Sequence, residues 1–292
     1  MADFTIENEQ IRVGVNAHGA ELVSIVRKSD SREYMWSGDP EYWGRVSPVL
    51  FPFIGKLSNT SYSYGGKEYT GVPQHGYARD CDFTMAEKLQ DTIWFELYPD
   101  ETWKERYPFD FMLRIGYRVE GHSVHVMWTV RNDSGVDMHF SIGAHPAFIM
   151  PGGESKNGYY VNFNNGADTL NFGLLDEHGL LMDGKEQTAL EQGLLKLSDE
   201  LFDRDALIID SANIHTVSVN APDKTPFIQV RFDAPQLGLW SPAGKKAPFV
   251  CIEPWFGRAD RVGFAGELGE REYGNTIAPG HSFNKEYVID IL

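Results

Sequence analysis

Phe111-Met112-Leu113-Arg114-Ile115-Gly116-Tyr117-Arg118-Val119 is the stretch that decides the class of fold. Phe111, Leu113, Ile115, Tyr117 and Val119 alternate with Met112, Arg114, Gly116 and Arg118, the two-residue period of a strand with one face on a core. Glu120-Gly121-His122 then reads as a turn, and Val124, Val126, Trp128 and Val130 repeat the alternation in a second strand. Asn132-Asp133-Ser134-Gly135 turns the chain again. Met138, Phe140 and Ile142, alternating with His139 and Ser141, make a third strand that runs to His145. The expectation is an antiparallel meander.

Outward from this region the same short units recur: Ile11 to Val15, Glu21 to Val26, Ile93 to Tyr98, Thr216 to Asn220, Phe227 to Phe232, Leu237 to Trp240, Phe249 to Ile252 and Tyr287 to Ile291. Clusters of Gly, Pro, Asn and Asp separate them. Helical patterns are scarce. Ser198 can cap a turn holding Glu200, Leu201 and Phe202, and Asp100 to Arg106 can form another turn or two. Many short strands and few helices predict an all-β fold, a sandwich or barrel-like arrangement. No stretch of the 292 residues reads as a linker, so residues 1–292 are expected to form a single domain.

Composition narrows the function. The chain is 42% hydrophobic and 23% charged, as globular proteins are, but its 13% aromatic content, with 7 Trp and 13 Tyr, is rich. Aromatic rings suit both sheet cores and the faces of sugars. A formal net charge of -16 argues against general affinity for nucleic acid or anionic membrane. The segment Met1 to Val15 carries Asp3, Glu7 and Glu9 and lacks the pattern of a signal peptide, and no apolar run approaches membrane-spanning length. Cys81 and Cys251 are far apart and in no metal-type spacing, so they read as free thiols in a reducing compartment. A cytoplasmic protein is expected.

Three constellations can carry chemistry. In Gly143-Ala144-His145-Pro146-Ala147-Phe148 a glycine and a proline break the third strand around a histidine, either to aim it into a cleft or simply to pack it. Gln74-His75-Gly76-Tyr77-Ala78-Arg79 again sets a histidine beside turn residues. There His75 and Arg79 can share a site, or Arg79 can pair with Asp80 or Asp82 on the surface. In Cys251-Ile252-Glu253-Pro254-Trp255-Phe256-Gly257 a glutamate ends an apolar strand. A carboxylate there needs a partner: a ligand at a cleft wall with Trp255 and Phe256 as a stacking face, or a structural pair with Arg258 or Arg261. The segment Pro48 to Lys56 reads on its own as core. His122 and His125 lack a third metal ligand nearby, and no phosphate loop, nucleophile elbow or dinucleotide fingerprint is present.

Taken in order, Gly55-Lys56, His75-Gly76-Tyr77-Ala78-Arg79, Gly143 to Phe148 and Glu253-Pro254-Trp255 resemble the motifs of the aldose 1-epimerase (galactose mutarotase) family, in its LacX-like branch, with a hexose-6-phosphate epimerase branch as neighbour. The resemblance implies a large antiparallel β-sandwich with a sugar cleft and no metal or other cofactor. It implies His145 as general acid and Glu253 as general base in interconverting α and β anomers. It further implies substrate contacts from His75, Arg79, Lys56, Trp255 and Asp205, with Asp203 a close competitor for the last. Ring opening needs one group to take the C1 hydroxyl proton while another protonates the ring oxygen, so a bell-shaped pH dependence is expected, with nearby acids raising the histidine. Lys56 stands where these mutarotases carry arginine, Tyr77 where they carry a second glycine, and Ala144 and Ala147 flank the histidine, so specificity for galactose does not transfer. Arg79 beside Lys56 can also receive a phosphate. The partner expected is a free or phosphorylated hexose, the protein a monomer or homodimer. A binding or sensing protein that keeps the cleft without turnover is the competing reading; glycoside hydrolysis would need a second carboxylate.

Overall fold

The computed structural model describes residues 2–292. The decisive stretch forms the strand Phe111–Glu120, paired antiparallel with Ser123–Asn132 over its whole length, from Phe111 opposite Asn132 to Glu120 opposite Ser123. The alternation works as expected, with Val124, Val126, Trp128 and Val130 buried and His125, Met127, Thr129 and Arg131 partly exposed. Thr92–Leu97 pairs on the far side of Phe111–Glu120.

The third strand of the meander does not join them. The place beside Ser123–Asn132 is taken by Ser282–Ile291 from the far end of the chain, while Met138–Phe140 pairs with Asn275–Ile277 and Ile142–Ala144 enters another sheet. Periodicity encodes which face of a strand is buried, but not which strand lies beside it.

Two large antiparallel sheets make up the sandwich. One has nine strands, with Ser282–Ile291 at its centre and Thr84–Lys88 at one edge. The other has six, running Leu207–Asp210, Gln236–Trp240, Phe249–Phe256, Ile142–Ala144 and Val49–Leu50, with Ala147–Ile149 also on Phe249–Phe256. Leu113, Ile115, Val126 and Trp128 from the first sheet and Leu237, Leu239 and Ile252 from the second share one continuous core. Each such side chain contributes about 1.5–3 kcal/mol by leaving water. Strand alternation sends Cys251, Glu253 and Trp255 to the opposite face of the six-stranded sheet from Ile252. Two smaller apolar clusters form on that outer face, around Ile54, Ile208 and Trp255 and around Trp36, Phe249 and Cys251.

Glu101–Arg106 is the one α-helix among the described residues, and its Asp100 cap accepts from the Trp103 N–H. The turn after Ser198 is a 3-10 turn, Glu200–Phe202. Among the described residues no helix is long and apolar enough to cross a membrane.

Candidate active site

The strand carrying Glu253 does not end there, as its proline suggests, but runs on to Phe256. The reason lies in its neighbour. Ile142 and Gly143 pair with Phe256 and Trp255, and Ala147, Phe148 and Ile149 pair with Cys251, Val250 and Phe249, so the ladder is interrupted between them at Ala144-His145-Pro146. Pro254 lies between the two paired stretches, level with this interruption, where a missing N–H is tolerated. The same interruption lifts His145 out of the sheet opposite Glu253. His145 Nε2 lies 3.3 Å from Glu253 Oε2.

Both groups are almost out of solvent, His145 at 7% exposure and Glu253 at 1%. Three rings box the imidazole. Trp43 stacks on it with centroids 4.7 Å apart, Trp240 meets it edge-on at 5.3 Å and His75 at 5.6 Å. Arg258 and Arg261 are engaged with Glu272, so the structural pairing considered for Glu253 is absent.

Burial pushes His145 down to about 3, with Arg79 and Arg45 adding to the effect, and pushes Glu253 well above the usual carboxylate range, with Asp205 adding. The expectation that nearby acids raise the histidine is therefore reversed. The aromatic box removes the water that an imidazolium needs, Arg79 and Arg45 oppose its charge, and Glu253 beside it is pushed toward its uncharged form by the same burial.

His75 has a positive φ of 66°, uncommon for a residue with a side chain, and is fixed there by reciprocal bonds with Gly55. The His75 N–H donates to the Gly55 carbonyl at 2.9 Å, and the Gly55 N–H donates to His75 Nδ1 at 3.1 Å. An Nδ1 that accepts leaves the ring proton on Nε2, and burial together with His145 keeps the ring neutral. His75 is thus a donor beside His145, with the Gln74 side-chain amide 3.3 Å from its Nε2. Gly76 permits the turn: a Cβ there would meet the Phe51 carbonyl oxygen at 2.4 Å.

Arg79 donates from Nη2 to the Gln74 carbonyl at 2.6 Å, and its Nε stands 3.8 Å from Asp80, which Arg45 holds more closely at 2.7 Å. Burial and Arg45 lower the Arg79 pKa to about 10. Trp255 donates from its indole to the Ala144 carbonyl at 3.2 Å and lies over Gly238. Asp205, with φ of 69°, projects from the loop before Leu207–Asp210.

These residues line one cleft of about 250 Å³: Trp43, Gln74, His75, Arg79, His145, Asp205, Trp240, Glu253 and Trp255. The volume lies below the roughly 300–1,000 Å³ of sites for drug-sized ligands and suits a single sugar ring. Asp205 lines it and its competitor Asp203 does not. Lys56 does not line it either. Its stem packs against Gly179, and it borders an adjoining depression with Gln74, Glu177 and His178, so Lys56 and Arg79 face different spaces. Trp43, Trp240 and Gln74 are cleft residues that sequence reasoning missed. Gln74 adjoins His75 in the quoted motif, whereas Trp43 and Trp240 carry no local signal and arrive through the fold. A wider groove of about 610 Å³ crosses the outer face of the nine-stranded sheet beside Trp94 and Met127, but its cations are already paired, Lys285 with Asp233 and Arg231 with Asp290.

A buried histidine–glutamate pair, a second buried histidine and an indole wall thus surround one small cleft on the outer face of a β-sandwich. A model described as aldose 1-epimerase matches residues 3–290, and the chain belongs to that family. The plasmid-encoded protein LacX of Lactococcus lactis subsp. lactis is 32% identical over 98% of both chains. Among solved structures, a galactose mutarotase related enzyme from Lactobacillus acidophilus superimposes with a TM-score of 0.91 at 36% identity, over 99% of this chain and 97% of that one. A galactose mutarotase-like protein from Lactobacillus casei ATCC 334 gives 0.90 at 30% identity, over 99% of both. The fold is the galactose mutarotase-like sandwich, and the family is one of sugar epimerases.

Proposed function

We propose that the cleft interconverts the α and β anomers of a hexose by acid–base ring opening and closure. The observation that supports this most directly is the 3.3 Å contact between His145 Nε2 and Glu253 Oε2 in the wall of a sugar-sized space. Glu253 takes the proton of the C1 hydroxyl while His145 gives one to the ring oxygen. The hemiacetal opens to an aldehyde, C1 turns about the C1–C2 bond, and the ring closes on the other face with the roles reversed.

The pair needs one mobile proton between its two members. A carboxylic acid beside an imidazole and a carboxylate beside an imidazolium hold the same number, and the two interconvert by proton passage once the contact, which is not aligned as a hydrogen bond, tightens around substrate. Burial favours the neutral form before substrate enters. Sugar hydroxyls donating to the carboxylate favour the ionised form. His75, through Nε2–H, and Arg79 hold hydroxyls, Asp205 accepts from others at the rim, and Trp255 presents a ring face to the sugar. In this reading residues 1–292 work as one domain in the cytoplasm, consistent with two free thiols, and the partner is a small sugar.

The deciding experiment follows optical rotation of freshly dissolved α-glucose, α-galactose and glucose 6-phosphate with wild type, His145→Asn and Glu253→Gln. Acceleration by wild type alone is expected. If no sugar relaxes faster than in buffer, the epimerase reading fails and sugar binding without turnover takes its place. Preference for the phosphate ester would make the substrate a hexose 6-phosphate.

A further inference from the structure

Cys251 stands two residues before Glu253 on Phe249–Phe256, so strand alternation turns both side chains to the same face. A donor atom from each, together with one from the His145 ring, lies within 4.8 Å of the others. All three side chains are buried, Cys251 and Glu253 almost completely. Two buried atoms of this group have no hydrogen-bond partner among the described residues, His145 Nδ1 and Glu253 Oε2. Unmatched buried polar atoms beside a thiol are the condition in which a cation can be held.

We propose that these three side chains form an inhibitory site for a thiophilic divalent cation of the Zn²⁺ class. A tetrahedral Zn²⁺ takes sulfur at about 2.3 Å and nitrogen or carboxylate oxygen at about 2.0–2.2 Å, which places its donors about 3.3–3.7 Å apart. His145 Nε2 and Glu253 Oε2 already stand 3.3 Å apart, and the gaps to the Cys251 sulfur, at most 4.8 Å, need to close by about an ångström through side-chain rotation. Imidazole, thiolate and a single carboxylate select Zn²⁺ over Mg²⁺ or Ca²⁺, which demand oxygen. Three protein donors leave a fourth position for water facing the cleft. The Cys251 thiol, and Glu253 where it is protonated, release their protons to solvent as the cation enters. The cation takes the imidazole nitrogen and the carboxylate oxygen that the sugar chemistry needs. Binding of the cation stands on geometry alone, whereas inhibition rests on the epimerase reading.

The test separates the two. Chelator-treated protein is titrated with CoCl₂, and the thiolate-to-metal charge-transfer band is recorded for wild type, Cys251→Ala, Cys251→Ser and Cys81→Ala, each checked by circular dichroism. ZnCl₂ is then added during polarimetry. Wild type and Cys81→Ala are expected to show the band, both Cys251 variants to lose it, and ZnCl₂ to slow wild type reversibly on addition of EDTA. Each Cys251 variant, measured against its own metal-free rate, is expected to need a Zn²⁺ concentration raised by more than the roughly 10- to 100-fold that loss of a mere supporting residue costs a metal site. No band in wild type, or a band that survives in folded Cys251→Ser, overturns the proposal, as does equal Zn²⁺ sensitivity of active wild type and active Cys251 variants. A band in wild type with no sugar accelerated under any condition upholds cation binding and overturns the epimerase reading instead.

Discussion

The indole of Trp255 sits against Gly238: a Cβ at position 238 would meet Trp255 Cζ2 and Cη2 at 2.5 Å. Gly238 pairs with Glu253 across the sheet, so the absent side chain lets one wall of the cleft close down beside the carboxylate. Gly238→Ala is expected to lower stability by about 1–3 kcal/mol through overpacking and to lower kcat/KM as the indole is displaced. Urea denaturation and polarimetry check this. An unchanged midpoint with unchanged kinetics would mean that the indole is free to slide.

His145→Asn and Glu253→Gln are each expected to cost about 10²–10⁴-fold in kcat, the usual worth of a positioned acid or base. Since the two share one mobile proton, the double variant should be little slower than the worse single one. Losses that multiply would show two independent groups.

The pH profile follows from the direction of each shift. In the proposed mechanism the His145–Glu253 pair works with one mobile proton. A second is added only as pH falls toward about 3, where His145 titrates, and the last is lost only above the usual carboxylate range, where Glu253 titrates. The rate should therefore hold a broad plateau rather than a narrow bell, with the acid limb far below the ordinary imidazole value. A limb centred near 6.5 would contradict the desolvated site.

Glu253 also links stability to pH. Its folded pKa is raised, so its contribution is fully present below the unfolded value and is lost as pH rises through the folded one. Wild type should lose Tm relative to Glu253→Gln as pH rises from the ordinary carboxylate range upward, and the two curves should run parallel in acid below it. Calorimetry at a series of pH values reads this out. A constant difference would remove the case for a raised carboxyl.

Trp43 stacks on the imidazole from a loop between strands. Trp43→Ala should remove about 0.5–1.5 kcal/mol of ring contact and rehydrate His145. The acid limb of kcat should then move upward in pH, an effect that a purely structural role would not produce, and Trp43→Phe should restore most of it.

The legible part of this protein was what local pattern encodes. Alternation in Phe111 to Val119 gave a correct hairpin, and the glycine and proline around His145 marked the break that frees it from the ladder. Strand partners were not legible, because the residues beside Ser123–Asn132 are fixed by the closing of the whole sheet. For the same reason Cys251 looked isolated, though the ladder brings it beside His145, and Trp43 and Trp240 carried no signal. Pro254 read as a strand end because its missing donor is harmless only next to a gap in the neighbouring strand. The direction of the His145 shift was hidden too, since it depends on the aromatic box.

On the proposed mechanism, the interruption between Ile142–Ala144 and Ala147–Ile149 makes turnover a clock for folding. His145 and Glu253 meet only when the sheet has zipped on both sides of that gap, and the zipping joins segments far apart along the chain. Contacts of such long sequence separation form late and slowly. During refolding, catalysis should thus return no sooner than global structure, and a nascent chain released before Phe249–Phe256 would hold a histidine with no base to work against.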